Sequence, residues 1–233
     1  MQQSKAGTYP FIIKSYECDF NGKMSLNAFF LFLQECAWQN AMENGFGYEF
    51  VEKENAIWVL TRVLVQLDRF PKWKDNIEIM TWPRVAEGLF ALRDYQLMNS
   101  NNCIGRVSSS WLVLDKDTKR PRRISEFEFS KADFIPEKAI DKPLEKIELS
   151  SEMFIKDKRS VYASDIDVNG HVNNATYVRW IMDAHSVQGS VYLKEFEINF
   201  VGELILNDEF EVYYGQINDV FICFNRKIPD VKV

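Results

Sequence analysis

Two stretches of the chain repeat apolar residues at the three- and four-residue spacing of a helix with one buried face. The first stripe consists of Phe29, Phe32, Leu33 and Cys36. The second stripe consists of Tyr177, Trp180, Ile181 and Ala184. Ser25 is a suitable cap for the first helix, and Asn44-Gly45 is a suitable end. The second helix is predicted to run from about Asn174 to Ser190, with Gly189 near its end.

Around these helices, apolar and polar residues alternate in shorter runs bounded by turn residues, which is typical of strands. In the first part of the chain the predicted strands are Tyr9–Cys18, Trp58–Leu67, Ile77–Trp82, Phe90–Met98 and Ile104–Leu114. In the second part they are Met153–Ala163, Lys194–Val201, Glu209–Tyr214 and Val220–Phe224. Short loops between successive strands indicate antiparallel sheets. One long helix with one antiparallel sheet in each half predicts an α+β fold in which the sheet wraps the helix.

A chain of 233 residues is long enough for one large domain or two small ones. Residues 131–153 show no clear period and carry Pro136, Pro143 and mixed charges, so they are interpreted as a linker. The predicted halves are therefore residues 1–130 and 154–233.

The second helix is preceded by a dense group of polar and ionisable residues, Asp167-Val168-Asn169-Gly170-His171-Val172-Asn173-Asn174. Asp167, Asn169 and His171 alternate, so an extended chain would direct all three side chains to one side. Gly170 permits a turn between them, and either asparagine at the end of the motif could cap the helix. A carboxylate, an amide, an imidazole and a helix N-terminus are the groups needed to polarise a carbonyl and activate a nucleophile.

An altered copy of this motif lies near the start of the chain. The copy is Asp19-Phe20-Asn21-Gly22-Lys23-Met24-Ser25, and 148 positions separate Lys23 from His171. Because a helix and then strands follow both copies in the same order, the chain is interpreted as a duplicated domain. A lysine is cationic at neutral pH and cannot act as a base there unless its pKa is strongly depressed. The first half is therefore predicted to be catalytically silent and the second half active.

Composition argues against several classes of protein. The net charge of −6 argues against general nucleic-acid binding, and no apolar run approaches the ~18 residues needed to span a membrane. The two histidines, His171 and His185, have no cysteine pair near them, so no metal site is expected. The cysteines are scattered: Cys18, Cys36, Cys103 and Cys223. Free thiols in a reducing cytoplasm are therefore expected, and the first residues lack the apolar core of a signal peptide.

Motifs spread over residues 10–210 resemble those of the acyl-acyl carrier protein (acyl-ACP) thioesterase family. They are Asp167–Asn174 followed by Tyr177 and Trp180, and also Trp58-Val59-Leu60-Thr61-Arg62, Pro71-Lys72-Trp73, Thr81-Trp82-Pro83, Arg93-Asp94 and Ser110-Trp111-Leu112-Val113-Leu114-Asp115. The resemblance implies two fused hotdog domains, that is, a tandem hotdog. It also implies hydrolysis of the thioester between a fatty acyl chain and the phosphopantetheine arm of ACP, which terminates fatty acid synthesis. No metal or bound cofactor is implied, ACP is the expected partner, and a homodimer is a further expectation.

Carried over by motif position, the family's catalytic residues correspond to Asp167, Asn169, His171 and Glu203. Glu197 is the competing position for the last of these, because the match has a gap in this region. Some relatives have a cysteine directly after the acid, but this chain has Leu204, which excludes a thiol nucleophile there. The resemblance leaves open whether a carboxylate activates water or attacks the thioester to form an acyl-enzyme anhydride.

The first half is predicted to hold the acyl chain, because a silent copy is free to keep an apolar cavity. The predicted binding residues are Met24, Phe29, Phe32 and Trp38. ACP is acidic as a class, so docking on a net negative chain needs a local basic surface. The densest basic segment is Lys116–Arg123, with Arg120, Arg122 and Arg123 as the predicted contacts. A second candidate consists of Lys156, Lys158 and Arg159, and a merely solvated hairpin is the alternative for the first.

Three other functions remain open from the sequence. An acyl-CoA thioesterase would share the scaffold and the thioester chemistry. A hydratase or dehydratase also uses His and Asp, although the spacing of Asn169 fits it worse. A non-catalytic acyl-binding module would need an incomplete catalytic set, which only the first half shows.

Overall fold

The computed structural model describes residues 5–148, 153–185, 193–217 and 220–228, which fall into two compact units. Within these residues the helices are α1 (Leu26–Glu43), α2 (Tyr48–Lys53) and α3 (Asn174–His185). The strands are β1 (Gly7–Ile12), β2 (Ala56–Leu67), β3 (Asn76–Glu87), β4 (Phe90–Asn99), β5 (Asn102–Asp115), β6 (Pro121–Arg122), β7 (Phe154–Ser160), β8 (Glu195–Asn199), β9 (Glu209–Ile217) and β10 (Val220–Lys227). The first unit contains β1–β6, β8, α2 and most of α1, and the second contains β7, β9, β10, α3 and residues 26–30.

Both units contain antiparallel sheets, as the short connections predict. The first unit has a seven-stranded sheet in the order β1-β3-β4-β5-β2-β8, with β6 paired to β5, and the second has a three-stranded sheet in the order β10-β9-β7. The expectation that residues 194–201 complete the sheet of the second half is wrong, because β8 extends the edge of β2. There Val63 pairs with Ile198 and Val65 with Phe196, and such apolar cross-strand pairs stabilise a sheet. The bounds 1–130 and 154–233 stay a prediction.

Helix α1 begins directly after Ser25 and ends before Asn44-Gly45, as predicted. Its stripe is buried at Phe29, Leu33 and Cys36. Phe32 completes the stripe by stacking on Phe11 of β1, with ring centroids 4.4 Å apart. The strand before α1 is shorter than the predicted Tyr9–Cys18 because the chain turns into a short 3₁₀ segment at Ser15–Glu17.

The short helix α2 is absent from the sequence prediction. Its residue Phe50 packs against the rings of Phe127 and Phe129, at centroid distances of 5.1 Å each, and against Trp58 at 6.3 Å. Six residues are too few to display a helical period, so the pattern alone cannot predict such an element.

In the second unit, α3 packs its stripe against β9. The rings of Trp180 and Phe210 lie 4.3 Å apart, and Val178 is fully buried. The helix begins at Asn174 as predicted, whereas the predicted end at Ser190 lies outside the described residues. None of the helices in the described ranges is long and apolar enough to cross a membrane.

Most of the described part of the predicted linker, residues 131–146, belongs to the first unit. Residues 134–148 form neither helix nor strand, although all of them are described. The N–H of Ala139 donates to the buried carboxylate of Asp94 at 2.7 Å, and Arg62 donates to the carbonyl of Leu144 at 2.8 Å. These bonds join the segment to β4 and β2 of the first unit, and its role as the linker between the halves stays a prediction.

Candidate active site

The polar motif before α3 forms a tight turn that is closed at both ends. The N–H of Gly170 donates to the carbonyl of Asp167 at 3.0 Å, and the N–H of Asp167 donates to the carbonyl of His171 at 2.8 Å. Oδ1 of Asp167 accepts the N–H of Asn169 at 2.8 Å. Gly170 has a φ of +81°, a left-handed conformation that favours glycine. The turn expected at Gly170 is therefore confirmed, and these hydrogen bonds fold the three residues around it in place of the extended arrangement.

A buried carboxylate and an asparagine cap fix this turn to the start of α3. Asp165 accepts the N–H of Tyr162 at 2.9 Å and pairs with the guanidinium of Arg179. Its carbonyl accepts the N–H of Asn173 at 2.9 Å. Oδ1 of Asn173 in turn accepts the N–H of Ala175 at 2.9 Å, so Asn173 is the cap of the helix.

His171 and Glu203 meet beside this turn. Nε2 of His171 lies 3.2 Å from Oε2 of Glu203, and the two side chains are 34% and 50% exposed. The segment that carries Glu203 is joined to the turn by the N–H of Val172, which donates to the carbonyl of Leu204 at 2.9 Å. An imidazole and a carboxylate within hydrogen-bond distance, reachable from solvent, form an arrangement suited to proton transfer.

Glu197, the competing carboxylate, lies elsewhere. It is on β8 in the first unit, where Lys142 pairs with it at 3.2 Å and with Glu195 at 2.6 Å. Of the two carboxylates that the sequence left open, Glu203 lies within hydrogen-bond distance of His171 in the second unit.

Tyr177, on the first turns of α3, contacts the same segment, a contact that its place on the apolar stripe and in the family motif does not predict. Its hydroxyl oxygen accepts the N–H of Leu204 at 3.0 Å. Burial raises the pKa of this hydroxyl to about 12, so it stays protonated at neutral pH and cannot serve as the base.

The first copy of the motif repeats the turn bond for bond. The N–H of Asp19 donates to the carbonyl of Lys23 at 2.7 Å, and the N–H of Gly22 donates to the carbonyl of Asp19 at 3.0 Å. Oδ1 of Asp19 accepts the N–H of Asn21 at 2.8 Å. The internal repeat is therefore confirmed at the level of backbone geometry.

The imidazole and the carboxylate that meet beside the second turn have no counterpart at this first turn. The N–H of Met24 donates to the carbonyl of Pro71 at 2.8 Å, just as the N–H of Val172 donates to Leu204 in the second copy. By this register Phe70 occupies the place of Glu203, and Lys23 occupies the place of His171. The first turn thus has neither the imidazole nor the carboxylate.

The predicted acyl-binding residues divide into buried and exposed ones. Met24 and Phe29 are buried, and Phe32 is half-buried against Phe11. Trp38 is 46% exposed and lies edge-on to Tyr48, so it belongs to the surface of the chain.

The predicted docking residues also differ from one another. Arg122 donates to the carbonyl of Glu54 at 2.8 Å, pairs with the carboxylate of Glu126 at 3.7 Å, and lies 4.4 Å from the ring centroid of Phe127. Arg120 and Arg123 are exposed. Arg122 is thus engaged within its own unit, while its two neighbours face solvent.

Two of the three residues of the second basic candidate are paired with carboxylates of the same unit. Lys158 contacts Glu211 at 2.9 Å, and Arg159 contacts Asp157 at 2.6 Å and Asp183 at 3.0 Å. Across the described residues, no group of three or more His, Cys, Asp and Glu side chains is arranged to hold a metal ion.

Comparison with known proteins finds one family in both halves of the chain. The profile of the acyl-ACP thioesterase N-terminal domain matches residues 6–131, and that of the C-terminal domain matches residues 148–224. The chain is 28% identical over 197 residues to oleoyl-acyl carrier protein thioesterase 2, chloroplastic, of Arabidopsis thaliana, covering 75% of this chain and 52% of that protein. It is 31% identical over 191 residues to palmitoyl-acyl carrier protein thioesterase, chloroplastic, of the same plant, covering 76% and 46%. The chain thus spans about half the length of the curated relatives it matches.

Solved structures agree with this result. An acyl-ACP thioesterase from Bacteroides thetaiotaomicron superposes with a TM-score of 0.84 at 25% identity, covering 95% of this chain and 92% of that one. The 12:0-ACP thioesterase from Umbellularia californica superposes with a TM-score of 0.81 at 22% identity, with the same coverage, 95% and 92%, and supports the fold alone. The predicted α+β tandem hotdog is confirmed.

Proposed function

This chain belongs to the acyl-ACP thioesterase family, and we propose that it hydrolyses the thioester of fatty acyl-ACP to release a free fatty acid and ACP. The observation that carries the proposal is the 3.2 Å approach of His171 Nε2 to Glu203 Oε2 in the second copy of the motif. The matching turn in the first copy lacks both groups, which supports a single catalytic centre in the second half.

In the proposed reaction, water attacks the carbonyl carbon of the thioester while Glu203, directly or through His171, takes one of its protons. The electron pair of the carbonyl bond moves to oxygen, and the side-chain amide of Asn169 donates to that oxyanion. Collapse of the intermediate breaks the C–S bond, and His171 gives the proton taken from water, relayed from Glu203 where Glu203 took it, to the departing thiolate of the phosphopantetheine arm. Asp167 holds the turn through the N–H of Asn169. An acyl-enzyme trapped in a single turnover would instead assign a carboxylate as nucleophile.

Substitution of the two central residues tests this assignment. His171→Ala and Glu203→Gln are expected to lower turnover of acyl-ACP by about 10²–10⁴-fold, the range for a lost acid–base group. Lys23→Ala and Glu197→Gln are the matched controls, because one removes the residue equivalent to His171 and the other the competing carboxylate. Near-normal turnover in His171→Ala, or an inactive but folded Lys23→Ala, contradicts the proposal.

The choice of ACP over coenzyme A as the carrier needs its own comparison. If the proposal is correct, kcat/KM for a matched acyl-ACP exceeds that for acyl-CoA. A clear preference for acyl-CoA would assign the chain to the alternative thioesterase activity, and no turnover of either would favour an acyl-binding module.

For docking of ACP, the proposal rests on Arg120 and Arg123, since both are exposed and each can bond a carboxylate or phosphate bidentately. Raising salt should raise KM for acyl-ACP, because exposed charges are screened beyond about 10 Å at 0.1 M. Reversing both charges should weaken use of acyl-ACP and spare a small acyl thioester without a carrier. Arg122→Ala should instead lower stability, given its bonds to Glu54 and Glu126. Equal loss with both substrates on charge reversal would exclude this docking site.

The acyl chain is proposed to be held in the first half by Met24, Phe29 and Phe32, with Trp38 as the exposed comparison. Small-to-large changes on the helix that carries Phe29 and Phe32 should shift the length of the released fatty acid more than the rate, whereas Trp38→Ala should shift it little. Mass spectrometry of fatty acids released in a bacterial host measures this. A length preference that responds only to changes in the second half would contradict it.

A cytoplasmic location is proposed as well. It is supported by the thiols of Cys18, Cys36 and Cys103, which form no disulfide, while the side chain of Cys223 lies outside the described residues. The homodimer stays a prediction, which light scattering of the purified chain would test.

A further inference from the structure

The carboxylate of Glu203 is held in place through its neighbour in sequence. Residues 200–208, all of them described, form neither helix nor strand, so no ladder of backbone hydrogen bonds fixes Glu203. Its side chain is 50% exposed, so packing alone does not fix it either. On its N-terminal side stands Gly202, where an added Cβ would meet nothing within 4 Å. The position of the carboxylate therefore depends on what holds Leu204.

Both backbone groups of Leu204, the carbonyl and the N–H, are hydrogen-bonded. Its carbonyl accepts the N–H of Val172, the residue directly after His171, at 2.9 Å. Its N–H donates to the hydroxyl of Tyr177 at 3.0 Å. Leu204 itself is buried. The first bond ties the segment to the turn that carries His171, and the second ties it to α3.

The first copy of the motif lacks both members of the second bond. Phe29 lies 148 positions before Tyr177, at the same place on its helix, and has no hydroxyl. Pro71 stands where Leu204 stands, as the Met24 hydrogen bond shows, and a proline has no N–H to donate. Donor and acceptor are therefore absent together in the copy that also lacks the carboxylate, while the bond to the turn is kept in both copies.

We infer that Tyr177 is a positioning residue that holds Glu203 in register with His171 by accepting the N–H of Leu204. The inference rests on the proposed catalytic role of Glu203. Because the raised pKa of Tyr177 keeps the hydroxyl protonated, its contribution is through this hydrogen bond and not through proton transfer.

A double-mutant cycle between Tyr177→Phe and Glu203→Gln tests the inference. Tyr177→Phe removes only the hydroxyl, and phenylalanine already occupies the equivalent helix position in the first copy, so the variant should fold. With Glu203 present, kcat for acyl-ACP should fall about 10–100-fold with little change in KM, since small displacements of a reacting group are costly. In the Glu203→Gln background, Tyr177→Phe should lower kcat by less than about threefold, because the effects of substitutions at two coupled residues are not additive.

Tyr213→Phe is the control for loss of a hydroxyl from the same unit, because Tyr213 donates to Glu211 at 2.8 Å. It should leave kcat unchanged, and thermal melts of all variants report on folding. An equal loss from Tyr177→Phe in both backgrounds would show a merely structural role and overturn the inference, as would a wild-type kcat in Tyr177→Phe. Wild-type activity in Glu203→Gln would overturn the proposed function itself, and the inference with it.

Discussion

A buried arginine in the first unit depends on Asn40 of α1, and this contact yields a quantitative prediction. Arg93 on β4 is 5% exposed, and burial lowers the pKa of its guanidinium from the ordinary value. Nη1 of Arg93 donates to Oδ1 of Asn40 at 2.8 Å and to Oγ1 of Thr81 at 3.1 Å. Asn40 is fully buried, and its Nδ2 donates to the carbonyl of Lys5 at 3.0 Å. Asn40→Ala removes these two bonds and leaves the guanidinium with the hydroxyl of Thr81 as its hydrogen-bond acceptor.

The expected loss follows from the two bonds. A hydrogen bond to a charged group contributes about 1.5–3 kcal/mol, and a neutral one about 0.5–1.5 kcal/mol. Their central values place the loss for Asn40→Ala at about 3 kcal/mol. For a chain of this size each kcal/mol corresponds to a shift of about 2–4 °C in Tm, so a fall of roughly 6–12 °C is expected.

Thermal unfolding followed by circular dichroism measures this shift. The control is Gln39→Ala, because Gln39 is the neighbouring exposed residue on α1 and its amide bonds only Glu35 among the described contacts, at 2.9 Å. Surface changes of this kind usually alter stability by less than about 0.5 kcal/mol. If Asn40→Ala melts within about 2 °C of the wild type, then Arg93 does not depend on this acceptor and the reasoning fails.

Two further predictions use the glycines of the two turns and a buried thiol. Gly170 and Gly22 have φ values of +81° and +71° with open space around an added Cβ, so alanine at either should cost about 1–2 kcal/mol of stability. Only Gly170→Ala should also lower turnover, and equal loss of turnover in Gly22→Ala would argue against a silent first copy. Burial raises the pKa of Cys36 to about 12, so this thiol should resist alkylation at pH 8 until the chain is unfolded. Peptide mapping by mass spectrometry measures the alkylation of Cys36, and alkylation in the native state would contradict the burial of this thiol.

The fold was predictable from the sequence wherever a periodic pattern was long enough. The starts of α1 and α3 follow from Ser25 and from the asparagines after His171, since helix caps are local in sequence. The sheet membership of β8 was not predictable, because alternation identifies a strand but not the edge that it extends. Its pairing with β2 is decided by tertiary contacts such as Val63 with Ile198.

The candidate site was predictable in part. His171 stood out because its counterpart Lys23 breaks the repeat, and the comparison needed no structure. The approach of Glu203 to His171 could be seen only in the fold, because it depends on how Leu204 bonds back to Val172. The density of basic residues likewise could not show that Arg122 is engaged while Arg120 and Arg123 are exposed. The pairing of Arg122 with Glu54 and Glu126 arises only in the folded chain.

Comparison of the two copies also shows which residues of the motif have a structural role in the turn. Asp167 and Asn169 have counterparts in Asp19 and Asn21, and in both copies the carboxylate accepts the N–H of the asparagine at 2.8 Å. This bond therefore stabilises the turn, and it is present in both copies whether or not an imidazole follows. What distinguishes the second copy is the imidazole, the carboxylate of Glu203 and the hydroxyl that holds its segment. Loss of activity on replacing Asp167 would thus have two causes, the loosened turn and the loss of any direct contact of the carboxylate with the substrate. If the first copy is silent, as proposed, the same replacement at Asp19 measures only the effect of loosening a turn.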